Sequence, residues 1–273
     1  MIRQCLCGGS ELEPVFEYRE PPEGEVRFPL AGEYRRRMAR CVHCGHFVSQ
    51  HDMDMSGLYS GPYVEATYGA QGMRKAFDRI VALSPEKSDN TGRVARVIEY
   101  ARTRFGAKQI SVLDVGSGLC VFLHRLKRET GWRCTALDPD ARAAAHAREA
   151  AGVEAIFGDF VRLAPSATYD MLTFNKVLEH VLDPVAMLAR AAGHLAPSGA
   201  VYVELPDGEA AAADGPGREE FFIDHHHVFS LKSLRLLAQR AGFAVLEEER
   251  LREPSTKYTL RAFLAAQADA RRS

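Results

Sequence analysis

The run Val112-Leu113-Asp114-Val115 leads straight into Gly116-Ser117-Gly118 and then into residues with helical spacing. A short, mostly apolar run ahead of a turn reads as a strand buried on both faces, and such strands belong to parallel sheets covered by helices. Glycines in the turn let a ligand approach the backbone without meeting a side chain. The helix opening there presents free N–H groups and a positive dipole end. A chain built around this unit is constrained to alternate strand and helix.

The alternation continues on both sides. Helices are expected over 91–105, 121–129, 141–151, 184–194 and 231–241, the first with Val94, Val97, Ile98 and Ala101 on one face. Strands are expected over 110–115, 135–137, 155–157, 170–174 and 200–205. Two further runs, 244–249 and 257–265, are joined by a short loop and predict a terminal antiparallel pair. The expected class is α/β, a doubly wound, mostly parallel, Rossmann-like sheet. Residues 90–273 are assigned to it and 1–55 to a small N-terminal lobe. Between them, 56–89 reads as a connector carrying Tyr59, Tyr63, Tyr68 and Phe77, with an amphipathic helix from about Met73 to Leu83.

Charge narrows the partners. Lys and Arg number 35 against 36 Asp and Glu, so the basic excess that marks a nucleic-acid binder is missing. No apolar run reaches membrane-spanning length and the N-terminus has no secretory segment. A cytoplasmic protein acting on a small molecule is expected, and its six cysteines then stay reduced.

Chemistry gathers at the predicted strand ends. Asp138, with Pro139 after it, closes the strand that follows the glycine turn, where an acid accepts the hydroxyls of a ribose. Gly158-Asp159-Phe160 closes the next, offering a carboxylate to an exocyclic amine and a ring for stacking. Asn175 and His180 follow the fourth in Phe174-Asn175-Lys176-Val177-Leu178-Glu179-His180. In open α/β sheets, ligands bind at the carboxyl ends of the strands. A dinucleotide reading is weaker, because Val121 stands where the third glycine of that fingerprint would fall.

These segments, Leu113 to Gly118, Leu137-Asp138-Pro139, Gly158-Asp159 and Asn175 to Pro184, resemble the class I methyltransferases that use S-adenosylmethionine (SAM). The resemblance covers roughly 90–265 and implies roles for individual residues. Asp114 lies in the motif, Gly116 and Gly118 would shape the methionine pocket, and Asp138 would hold the ribose. Asp159 and Phe160 would meet the adenine, and Asn175 would lie near the sulfur. Tyr68 would close over the ligand.

Cys5-Leu6-Cys7 and Cys41-Val42-His43-Cys44 flank a stretch rich in Pro, Glu and Gly, with short extended runs around Val15-Phe16 and Val26-Phe28, that cannot build a core of its own. Cys5, Cys7, Cys41 and Cys44 can supply four thiolates to a tetrahedral, structural Zn2+, with His43, His46 and His51 as alternative ligands. Cys120 and Cys134 read as small core residues. The cysteine pairs, with Leu58-Tyr59-Ser60 and Tyr68 after them, are similar to methyltransferases carrying an N-terminal zinc-binding domain. That group includes C-methyltransferases of nucleotide-linked sugars. This chain has C-x-C where the group commonly has C-x-x-C, and it ends without their further C-terminal domain. Oxygen is therefore the expected acceptor atom, in a sugar or sugar conjugate. The alternatives are a C-methyltransferase of a nucleotide-linked sugar, or a subunit that binds SAM and zinc without transferring.

Methyl transfer to a hydroxyl needs a group that removes its proton, and histidine titrates in the right range. Phe222-Ile223-Asp224-His225-His226-His227-Val228-Phe229-Ser230 lies between the fifth strand and the helix at 231. It resembles an acid–histidine segment of the sugar methyltransferases, which maps the catalytic pair onto Asp224 and His225, with Phe222 where a tyrosine is expected. His180 matches the histidine after that group's Asn-x-Val motif and is a second candidate. Three adjacent imidazoles are poorly spaced to converge on one metal ion.

Overall fold

The computed structural model describes residues 4–28, 30, 32–55 and 70–267. Tyr59, Tyr63 and Tyr68 lie outside them. The lobe contributes β1 (Leu12–Tyr18), β2 (Arg36–Cys41) and β3 (Phe47–Gln50), paired antiparallel in that order. The extended run expected at Val26–Phe28 forms no strand.

Helices α1 (Ala70–Val81) and α2 (Asp89–Phe105) follow. Val94, Val97, Ile98 and Ala101 are all buried on α2, as their spacing predicts, and Ser88 caps its first turn. Strands and helices then alternate as β4 (Ser111–Val115), α3 (Val121–Thr130), β5 (Arg133–Asp138), α4 (Ala141–Glu149) and β6 (Glu154–Phe157). Next come β7 (Tyr169–Asn175), α5 (Pro184–Arg190), β8 (Leu195–Pro206) and α6 (Gly208–Ala212). The chain closes with β9 (His227–Val228), α7 (Leu231–Arg240), β10 (Phe243–Arg252) and β11 (Tyr258–Ala266).

The larger sheet has the order β10-β11-β8-β7-β4-β5-β6. Its strands from β8 to β6 pair parallel, and β11 runs antiparallel to both β8 and β10. One apolar cluster covers each face. The fold is thus the expected α/β, Rossmann-like one, with a small sheet lobe and its cysteine cluster at the N-terminal end. The chain leaves β4 toward β5 on one side and returns to β7 on the other. The crevice at which a doubly wound sheet binds ligands is therefore at the ends of β4 and β7. No described helix is long and apolar enough to cross a membrane.

The lobe is not independent of this sheet. The short strand β9, remote in sequence, completes its four-stranded sheet by pairing with β3. The core beneath mixes Tyr18, Met38 and Phe47 with Ala211, Phe221 and Val228. Arg36 and Glu25 form a buried ion pair 3.1 Å apart. Arg36 also donates to the Phe221 carbonyl, and Glu25 accepts the Ile223 N–H at 2.7 Å, so the pair pins the loop ahead of β9. A Cβ on Gly208 would stand 2.6 Å from the Phe47 ring. Gly208→Ala is expected to lower unfolding free energy by about 1–3 kcal/mol through overpacking, read by denaturant titration.

Candidate active site

Gly116, at φ +71, turns the chain after β4 and donates its N–H to the Leu137 carbonyl at 2.8 Å. A Cβ there would lie 2.8 Å from Val177 Cγ2, so only glycine lets the turn after β7 close against the turn after β4. Gly118, at φ +49, faces open space and donates its N–H to Asp138 Oδ2 at 2.8 Å. Asp138 Oδ1 accepts the Asp140 N–H at 2.9 Å. Burial raises the Asp138 carboxyl above its ordinary range, while these two N–H groups hold it in place. Each oxygen keeps a lone pair for a further donor.

Asp114 is 2% exposed and works from behind. Its Oδ1 accepts from Thr173 Oγ1 at 2.6 Å and from Asn175 Nδ2 at 2.8 Å. Burial lifts its carboxyl to about 6. The contact fixes the Asn175 amide and leaves Asn175 Oδ1 buried with no hydrogen-bond partner. A buried orphan acceptor calls for a ligand or water donor.

Pro139, after β5, and Asp159, after β6, are exposed, and Asp159 Oδ1 accepts the Val161 N–H at 2.9 Å. Phe160 departs from the sequence reading. Phe160 is 2% exposed, packed edge-on to Phe174 and against His194, so its ring has no face free for stacking. Phe157, 62% exposed at the tip of β6, is the ring available there. Tyr68 falls outside the described residues.

On the opposite wall, the 3-10 turn Leu178–His180 follows β7, and the loop before β9 folds onto it. The His226 N–H bonds the Glu179 carbonyl at 2.8 Å, which brings His180 and His225 together with ring centroids 4.8 Å apart. His180 Nδ1 lies 2.9 Å from the Asp224 carbonyl, and His225 Nδ1 lies 2.8 Å from the Glu220 carbonyl. A carbonyl only accepts, so both Nδ1 atoms carry protons, and in a neutral ring the lone pair then sits on Nε2. The ring of His225 is thus oriented by a backbone carbonyl and not by the Asp224 carboxylate, which lies 3.7 Å from His180 Nδ1. Burial pushes the His225 imidazole below its ordinary range, keeping it neutral.

His225 and His227 diverge. His227 is buried with its Nδ1 3.0 Å from His46 Nε2, tying β9 to the lobe. Glu179, which the sequence did not single out, is fully buried beside His180 and His225, and neither carboxylate oxygen has a hydrogen-bond partner. Its one sequence signal is an acid set between Leu178 and Val181.

The four N-terminal cysteines converge as expected. Their sulfurs lie within 4.8 Å of one another, with Cys5 to Cys44 at 3.4 Å and Cys7 to Cys41 at 3.6 Å. A tetrahedral zinc–thiolate shell requires sulfurs about 3.8 Å apart. None of the four is in a disulfide. The Gly9 N–H points at Cys7 Sγ, 3.4 Å away. The hydrogen bond between Cys5 and Cys44 lowers the Cys44 thiol and raises that of Cys5, so without an ion the two share one proton, which a metal would displace. His46 is occupied by His227 and Ser233. Cys120 and Cys134 are buried core residues.

Solved structures share this architecture. Magnesium protoporphyrin IX methyltransferase (ChlM) from Synechocystis PCC 6803, with bound S-adenosylhomocysteine (SAH), superposes at TM-score 0.57 with 13% identity over 76% of this chain and 99% of its own. CcbJ methyltransferase from Streptomyces caelestis gives TM-score 0.52 at 16% identity, over 69% of this chain and 95% of its own. The 1,6-didemethyltoxoflavin-N1-methyltransferase of Burkholderia thailandensis gives 0.50 at 20%, over 82% and 97%. At such identities the likeness is one of fold. No curated protein matches the sequence significantly. The family model described as a methyltransferase domain matches residues 71–248, a span that holds both glycines, Asp138, Asn175 and the loop before β9. The chain therefore belongs to the methyltransferase-domain family and is a class I SAM-dependent methyltransferase.

Proposed function

We propose that this enzyme methylates a hydroxyl of a polar small molecule, a sugar or sugar conjugate, with a structural Zn2+ held by Cys5, Cys7, Cys41 and Cys44. The observation that carries the reading is the pairing of two walls at the carboxyl end of one sheet. One wall has Gly118 bonded to Asp138 and Asn175 with its orphan oxygen. The other has two imidazoles with free Nε2 lone pairs.

These residues fit SAM. Asp138 has lone pairs for ribose hydroxyls, Gly118 leaves room, and Asn175 Oδ1 awaits a donor. Gly116 shapes the turn, Asp114 aims Asn175, and the exposed Pro139, Asp159 and Phe157 at the next strand ends would border the adenine. When bound, SAM supplies an electrophilic methyl group on a sulfonium. The chain aligns the acceptor and takes its proton. His225, neutral and with Nδ1 tied to the Glu220 carbonyl, is the proton acceptor, and His180 with Asp224 borders the same mouth. The zinc closes a lobe whose own core is small and holds the loop that carries His225.

Asp138→Ala is expected to weaken SAH binding by about 30- to 100-fold, since it removes a charge-assisted contact to each ribose hydroxyl (about 2–3 kcal/mol). Calorimetric titration checks it; unchanged affinity would remove Asp138 from the site. NMR of the methylated product distinguishes transfer to oxygen from transfer to carbon or nitrogen.

A further inference from the structure

We infer that Glu179, His180 and His225 form a binding site for one first-row divalent cation on the acceptor wall. A carboxylate oxygen of Glu179 and one ring nitrogen from each histidine lie within 4.8 Å of one another. Glu179 is 0% exposed and both its oxygens lack a hydrogen-bond partner. The Lys176 ammonium lends it charge at longer range but is hydrogen-bonded to Thr259, so neither oxygen is directly paired. A buried carboxylate in that state is disfavoured unless a cation binds it.

The histidines supply no donor to it, because each spends its Nδ1–H on a backbone carbonyl, Asp224 for His180 and Glu220 for His225. That is how protein scaffolds hold metal-binding imidazoles: one nitrogen is anchored and the other is left as a lone pair. A proton on one ring would answer one oxygen. A divalent ion answers the carboxylate and one ring nitrogen of each histidine together. Two imidazoles and a carboxylate suit Zn2+, Co2+, Ni2+, Fe2+ or Mn2+. Three protein ligands leave coordination positions open, and the His180 side chain, 33% exposed, puts the site within reach of the mouth. An acceptor hydroxyl is the ligand of matching chemistry, and its acidity rises on such an ion.

The inference rests on the reading of this wall as the acceptor side and alters one detail of it. With the ion in place, the histidines hold metal, and the hydroxyl proton passes to solvent.

The test uses full-length protein with its cysteine site loaded with zinc, titrated with Co2+ by calorimetry and visible absorption, and separately with SAH. One Co2+ per chain is expected, with the weak bands of nitrogen and oxygen ligands and without the intense thiolate bands of the cysteine site. Glu179→Gln preserves shape while removing charge, and His180→Ala lies on the partly exposed rim. Each is expected to weaken Co2+ binding at least about 30-fold while SAH affinity stays unchanged. Glu179→Gln should also melt higher than wild type when both are metal-free, because a buried carboxylate without hydrogen-bond donors is gone. Equal Co2+ affinity in wild type and Glu179→Gln, or no uptake of millimolar Co2+ by folded protein that binds SAH, overturns the cation site and leaves the transfer reading standing. Failure to bind SAH sinks the transfer reading, whatever cobalt does.

Discussion

Cys41→Ser is expected to strip the metal from the N-terminal lobe and unfold it, lowering zinc content from about one ion per chain to none. Cys41 ends β2, and its carbonyl accepts the Gly45 N–H at 2.9 Å, shaping the turn that presents Cys44. Structural zinc contributes about 10–16 kcal/mol of apparent folding free energy in small modules. The lobe has little to replace it, because half its core comes from Ala211, Phe221 and Val228 of the catalytic half. The damage should spread. Ser230 Oγ, which caps α7, donates to the Cys44 carbonyl at 2.6 Å, and Arg240 and Lys232 reach the carbonyls of Leu6 and His43. Loss of the cluster therefore loosens the start of α7 and the loop bearing His225. Elemental analysis with limited proteolysis checks this; a stable, protease-resistant, metal-free variant would refute the zinc staple.

His225→Ala is expected to reduce turnover at least a hundredfold, about 2.7 kcal/mol of transition-state stabilisation, with SAH affinity unchanged. The imidazole is assigned to the acceptor wall and shares no hydrogen bond with Gly118, Asp138 or Asn175, so donor binding should not register its loss. Its ring is held at the Glu220 carbonyl and against His180, contacts whose loss leaves Phe221 and Ile223 buried and anchored by Arg36 and Glu25. Single-turnover kinetics with a competent acceptor is the measurement. Turnover within a few-fold of wild type would show that His225 handles no proton and binds no essential ion.

Much of the candidate site is legible in the amino-acid sequence. The glycine turn, Asp138 and Asn175 are readable because each sits at the end of an apolar run whose length and spacing identify a strand. The cysteine pairs are readable because two thiols so close in sequence, placed where no core can form, have few other uses. Phe160 shows the limit. It lies in a turn without periodicity, so nothing local decides its direction, and packing against Phe174 buries the ring. Asp224 shows it too: adjacency to His225 suggests a pair, yet the loop offers His225 the Glu220 carbonyl instead.

Periodicity and residue type are enough to dictate the α/β alternation, the parallel sheet with its antiparallel end, the donor-side strand tips and the thiol cluster. Each of these arises from residues that act within a few positions of one another. Long-range packing alone makes β9 complete the lobe's sheet, turns His225 and His227 to different partners, and buries Glu179 beside two imidazoles without a donor. Whether a charge is paired depends on what distant parts of the chain press against it, and spacing along the chain carries no record of that.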